Sequence, residues 1–166
     1  MYPMAAIARE AKTRGPVAGT VALLLLGWLA GASAAPTPRV VTLTQTGCQF
    51  LEPEGEDHEF APLSKADCDR INDRTGKERL KASTTLRLPP GRYVFKITNQ
   101  NVPYELGFWL RGDGLIARAT LPSVSGGGIE PGQTRAYEID LEPGQYRFSC
   151  PLNPTPDYRL EVTERP

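Results

Sequence analysis

Apolar and polar positions alternate along most of this chain in short runs separated by Pro-Gly and Asn-rich punctuation. Val40-Val41-Thr42-Leu43-Thr44-Gln45 is β-branched and alternating, and predicts a first strand running towards Cys48. Thr84-Thr85-Leu86-Arg87-Leu88 alternates next, and Pro89-Pro90-Gly91 turns the chain. Tyr93 to Thr98 is the strongest strand pattern, closed by Asn99-Gln100-Asn101. Tyr104 to Leu110 is another and carries Glu105 together with the aromatic pair Phe108-Trp109, whose adjacency sends the two rings to opposite faces. Leu115 to Ala119 predicts a short strand, and Ser125-Gly126-Gly127-Gly128 a flexible loop. Thr134–Leu141, Tyr146–Cys150 and Tyr158–Val162 complete the series, with Pro143-Gly144 and the segment Pro151–Pro156 between them. About seven or eight short strands at this spacing predict an all-β sandwich or barrel.

One stretch breaks the pattern. Residues 51–82 are polar and open on the acidic run Glu52, Glu54, Glu56, Asp57 and Glu59. Within it Ser64-Lys65-Ala66-Asp67 comes close to a capping box, while Ala66, Ile71 and Leu80 are too sparse for a deep apolar stripe. The pattern predicts a short helix or two on the surface, inserted after the first strand.

The first residues do not belong to the fold. Arg9, Lys12 and Arg14 face the single acid Glu10, the run from Val17 to Leu29 is almost wholly apolar, and Ala32-Ser33-Ala34 fits a small-x-small cleavage pattern. That run is shorter than the about 20 residues of a spanning helix, so residues 1–34 read as a cleaved signal peptide rather than a membrane tether. The expected product is one periplasmic or secreted domain over residues 35–166. The whole chain has 19 basic and 19 acidic residues; without Arg9, Lys12, Arg14 and Glu10 there remain 16 and 18, a net charge of −2. No basic stripe is left to neutralise a phosphate backbone, which excludes nucleic acid as a partner.

The segment from Ile129 to Val162 carries a family resemblance. A Pro131-Gly132 turn, an alternating strand, the turn Pro143-Gly144, then Tyr146-x-Phe148-x-Cys150 and a Pro-rich loop into a last strand resemble the C-terminal half of cupredoxins. Upstream, Pro90-Gly91-x-Tyr93-x-Phe95-x-Ile97-x-Asn99 is similar to the cupredoxin strand that ends in Asn. The pattern most resembles the cupredoxin-like domain of EfeO-type periplasmic iron-uptake proteins, whose first-strand Cys, Glu and last-turn Cys correspond to Cys48, Glu105 and Cys150. The resemblance covers residues 40–50 and 84–163 and implies an antiparallel Greek-key sandwich with a metal-ligand loop beginning at Cys150. By analogy it further implies an iron or copper ion held by Cys48, Glu105 and Cys150, and an inner-membrane metal permease as partner.

The departures from that family are equally specific. A blue-copper electron carrier needs two imidazoles and a thiolate with a weak axial ligand. The only histidine is His58, inside the charged insertion, and both methionines lie in the leader. A type 1 copper site is therefore not expected. His58 with its flanking acids is a second, weaker cation candidate, and Cys68 a further thiol. In an oxidising compartment a disulfide is permitted: Cys48–Cys150 would staple first and last strands, whereas Cys48–Cys68 would pin the insertion and leave Cys150 free. Spacing leaves both open. Asn153-Pro154-Thr155-Pro156 reads as a loop shaped by fixed proline φ angles. No nucleophile–base pairing is in evidence, so no enzyme activity is expected. Two functions remain: an exported metal-binding accessory protein, or a metal-free, disulfide-stapled sandwich acting as a protein-interaction module.

Overall fold

Alternation writes the core directly. In a computed structural model describing residues 37–164, the long strands turn most of their apolar positions to one side, with Val40 and Trp109 left exposed on the other. The predicted signal peptide lies outside the described residues. Strand β1 (Arg39–Thr46) is followed by the two-residue β2 (Gln49–Phe50), the short helix α1 (Leu51–Glu54) and the long helix α2 (Lys65–Ala82). Then come β3 (Leu86–Leu88), β4 (Gly91–Asn99), β5 (Leu106–Gly112), α3 (Leu115–Thr120), β6 (Val124–Ile129), β7 (Thr134–Leu141), β8 (Gly144–Ser149) and β9 (Tyr158–Val162).

The strands form two facing sheets, in the orders β2-β1-β4-β7 and β3-β9-β8-β5-β6. Tyr93, Phe95 and Ile97 of β4 and Tyr137, Ile139 and Leu141 of β7 meet Phe108 and Leu110 of β5, Tyr146 and Phe148 of β8, and Tyr158 and Leu160 of β9. Phe50, Phe108, Phe148 and Tyr158 pack ring against ring at centroid distances of 5.4 to 6.3 Å. Such pairs add about 0.5–1.5 kcal/mol each beyond the area they bury. The result is a two-sheet β-sandwich with a helical insertion after the first strands.

Three expectations need correction. The sheets are mixed rather than antiparallel throughout, because β1 runs parallel to β4 and β3 parallel to β9. Leu115–Thr120 is a helix, not a strand; it lies outside both sheets with no buried residue, and nothing pairs its backbone into a ladder. Gly126-Gly127-Gly128 is not a mobile loop but part of β6, the edge strand paired to β5. Its glycines are there for close approach: a Cβ on Gly126 would stand 2.9 Å from the Tyr137 ring, and one on Gly107 opposite would stand 2.8 Å from the Gly126 carbonyl oxygen.

The insertion is a surface helix, as its sparse apolar positions require. Its inner side is held by polar contacts: Asn72 Nδ2 donates to Pro154 O, and Arg159 donates to Leu80 O from β9. Among the described residues no helix is long and apolar enough to cross a membrane.

Candidate functional site

The ends of β1, β4 and β8 and the start of β5 meet at one end of the sandwich, and Cys150 sits there, directly after β8. Buried to 1% exposure, its sulfur accepts the backbone N–H of Gly107 at 3.3 Å and of Asn153 at 3.1 Å. Burial pushes the Cys150 thiol above its ordinary value; the N–H donors of Gly107 and Asn153 pull the other way. This is a shielded thiol, and the only free one among the described residues.

Asn153 organises the corner. It is completely buried, and each end of its amide is used. Its Nδ2 donates to Thr46 O at 3.0 Å, while Oδ1 accepts from Cys48 N at 3.2 Å and from the Tyr104 hydroxyl at 3.1 Å. The same oxygen lies 3.0 Å from Cys68 Sγ. Asn99, the last residue of β4, plays a parallel part. It donates to the carbonyls of Tyr104 and Ile129 and accepts the Val102 N–H, so the turn leading to Glu105 is fixed. Gln45 of β1 is also fully buried; it donates to Gly107 O at 2.9 Å, and its Oε1 has no hydrogen-bond partner. Tyr104 is pushed up to about 12, first by its own burial and then by the charge Cys150 can carry.

The disulfide is Cys48–Cys68. The pairing Cys48–Cys150 does not form, because α2 lays Cys68 over the β1–β2 turn and Cys48 is used there. Glu105 does not join Cys150 in a ligand set either: it is exposed and accepts the Gly128 N–H, holding the edge strand. His58 lies apart from both. Its Nε2 is 2.7 Å from Glu54 Oε2, and its ring stacks on Phe60. Glu54, 2% exposed, also pairs with Arg79 at 2.7 Å and receives the Tyr158 hydroxyl, while Arg79 donates to Cys48 O at 3.1 Å. This buried network reaches the disulfide through the Cys48 carbonyl, whereas Asn153 holds the Cys48 N–H. Among the described residues no three His, Cys, Asp or Glu side chains are grouped to hold a metal ion.

The donor set of the corner does not fit a type 1 copper centre. Such a centre takes one thiolate and two imidazoles. Here a single thiol is surrounded by amides and a phenol, and the loop residue placed to ligate, Asn153, has its side chain committed to the protein's own backbone. The sequence reading missed Asn153, Gln45 and Tyr104. Asn153 was legible only as a turn former between prolines; its spacing of three residues after Cys150 was the one available hint.

No protein-family model matches this chain, and no curated protein does. Among solved structures it is similar to auracyanin B, with 15% identity and a TM-score of 0.47 over 78% of this chain and 93% of that one. It is similar to Lac15 from a marine microbial metagenome, with 14% identity and a TM-score of 0.37 over 78% of this chain but 28% of that one. A multi-copper oxidase from Pediococcus acidilactici gives 8% identity and a TM-score of 0.36 over 80% and 27%. The chain thus spans only a small part of the two larger proteins.

Proposed function

We propose that this chain is an exported, cupredoxin-like binding module which in its oxidised form carries no resident metal. The observation that supports it is Asn153, whose side chain ties the loop after Cys150 to Thr46, Cys48 and Tyr104 instead of facing an ion. The insertion then offers the contact surface. The outer side of α2 exposes Lys65, Asp69, Arg70, Asp73, Arg74, Lys77, Glu78 and Lys81, so a partner meeting it meets mixed charge. Such binding weakens as salt screens it.

A second reading, a metal accessory protein of the EfeO type delivering iron or copper to an inner-membrane permease, is favoured by one feature. Two backbone N–H groups converge on the Cys150 sulfur, an arrangement that supports a thiolate ligand. One experiment separates the two: metal analysis and thiol counting on residues 35–166 purified from the periplasm without reductant. The first reading expects no bound metal and one thiol, released only on unfolding. Copper or iron at one per chain, lost in Cys150→Ser, refutes it in favour of the second.

A further inference from the structure

One side of the sandwich is left open by its own strand lengths. Strand β2 pairs only with Gln45 and Thr46, so the rest of β1 is a sheet edge, and the three-residue β3 is an edge of the facing sheet. Between these two edges lies a cavity of about 130 Å³. Its floor is Leu43 and Phe148, 2% and 0% exposed. Pro53 and Leu86 wall it, and the exposed residues Glu52, Thr84 and Arg87 stand at its mouth. Both ends of the insertion therefore bound it. The chain leaves at Glu52-Pro53 and returns at Thr84, whose N–H donates to Pro53 O at 2.8 Å.

We propose that this cavity binds a small, neutral aromatic molecule one ring in size, and that the bound ring clamps the two ends of the insertion together. Its volume suits that class, since an apolar cavity of about 150 Å³ stays dry and takes up benzene. The lining suits it too. A trapped water needs about two to four polar partners, which Leu43, Pro53, Leu86 and Phe148 do not offer. The polar groups at the mouth are already engaged: Glu52 Oε2 accepts the Thr44 N–H at 2.8 Å, and Arg87 Nε donates to Glu161 Oε2 at 3.2 Å. Glu52 and Arg87 are opposite in sign, so the mouth favours neither an anion nor a cation. Phe148, packed on Phe50 and Tyr158 at centroid distances of 5.4 Å, gives the ligand an aromatic partner.

The same rings connect the cavity to the insertion. Phe50 directly precedes α1, and the Tyr158 hydroxyl donates to Glu54, which pairs with Arg79 of α2. A ring resting on Phe148 and Pro53 thus packs against the cluster that seats both helices. The cavity uses neither the charged face of α2 nor the thiol corner, so this proposal and the reading above fail separately.

The test is a titration with phenol, followed by amide chemical shifts, of isotope-labelled residues 35–166, which hold the whole described fold. Benzoate serves as the charged probe of similar size. Phenol should give saturable shifts centred on the amides of Leu43, Thr84 to Arg87 and Phe148. Benzoate should bind more than about 10-fold more weakly, because its charge would be buried without a partner. At phenol about ten times its dissociation constant, exchange of the Thr84 amide should slow about 10-fold, since opening must first release the ring. Leu86→Trp, on the half-buried edge strand, should fill the cavity and weaken phenol more than about 10-fold, whereas Leu86→Val should change it less than about 3-fold. Absence of saturable shifts at these residues, equal affinity for phenol and benzoate, unaltered Thr84 exchange at saturation, or undiminished binding by a folded Leu86→Trp would each overturn the proposal. If Leu86→Trp does not fold, the phenol–benzoate contrast and the Thr84 exchange decide it on the wild-type protein.

Discussion

Replacing Asn153 by alanine tests the central claim, that this side chain is the clasp of the strand-end corner. The substitution removes three hydrogen bonds: from Asn153 to Thr46 O, from Cys48 N and from the Tyr104 hydroxyl. Cys48 and Thr46 are buried, so losing a partner costs them about 1–3 kcal/mol each, and the half-buried phenol adds about 1 kcal/mol. The total is about 3–7 kcal/mol, a large share of the about 5–15 kcal/mol that holds a domain of this kind together. At a urea m-value of about 1–3 kcal/mol/M this moves the unfolding midpoint down by about 2 M at unchanged m. Tyr104→Phe, which removes only the phenol hydroxyl, should cost about 1 kcal/mol. Amide exchange at Cys48 should accelerate in Asn153→Ala and stay slow in Tyr104→Phe. A midpoint shift below about 0.5 M, or slow exchange at Cys48 in the alanine variant, would mean the corner holds without its asparagine.

Three further outcomes follow from the same geometry. Cys68→Ser opens a loop of sequence separation 20, for which chain entropy gives a loss of about 3 kcal/mol, read as a lower urea midpoint without reductant. Arg79→Met strands Glu54, 2% exposed, beside Tyr158 and His58; a loss of about 3–5 kcal/mol is expected, with partial recovery when Glu54→Gln is added, by thermal unfolding of single and double variants. The thiol of Cys150 and the phenols of Tyr104, Tyr137 and Tyr158 all have raised values, chiefly from burial, so the folded state holds their protons more tightly than the unfolded chain. Their contribution is complete at neutral pH and is lost as pH climbs from about 9, where a free thiol titrates, through about 12. Urea midpoints should be flat near neutrality and fall above about pH 9, and Cys150→Ser should delay the fall.

The sandwich was readable because alternation is a local signal: Tyr93, Phe95 and Ile97 point inward whatever β4 pairs with. The parallel pairing of β1 with β4 was not readable, since register depends on which apolar faces meet across the core. Leu115 and Ile116 looked like strand residues, but they stand 88% and 80% exposed on α3, outside any sheet. The glycines at 126–128 carry opposite meanings in isolation, flexibility or close packing, and distant side chains decide for packing: the Tyr137 ring at Gly126, Glu105 at Gly127 and Arg135 at Gly128. Of the site, Cys150 at the end of β8 was legible. The choice between two disulfides was not, because it depends on where α2 lies. Asn153 was invisible for the same reason: its partners at Thr46 and Cys48 are more than a hundred residues away in sequence.

The inserted helix and the buried side chain of Asn153 act on the same corner. A metal corner at strand ends needs a loop side chain free to ligate and an open side for the ion to enter. Here α2 closes that side. Cys68 bonds to the β1–β2 turn, Asn72 holds the loop after Cys150, and Arg79 reaches Cys48 O across a buried ion pair. Covering the corner removes water from the polar backbone around Thr46 and Cys48, and those groups then require an internal partner. An asparagine at position 153 supplies both a donor and acceptors, which neutral imidazole, with one of each in fixed opposition, does not match as well. The cover and the asparagine therefore favour each other. Cys150 remains compatible with both because a thiol tolerates burial with only weak acceptance from Gly107 and Asn153. Cys150 is thus a shielded thiol at the corner covered by the helix that the Cys48–Cys68 disulfide pins.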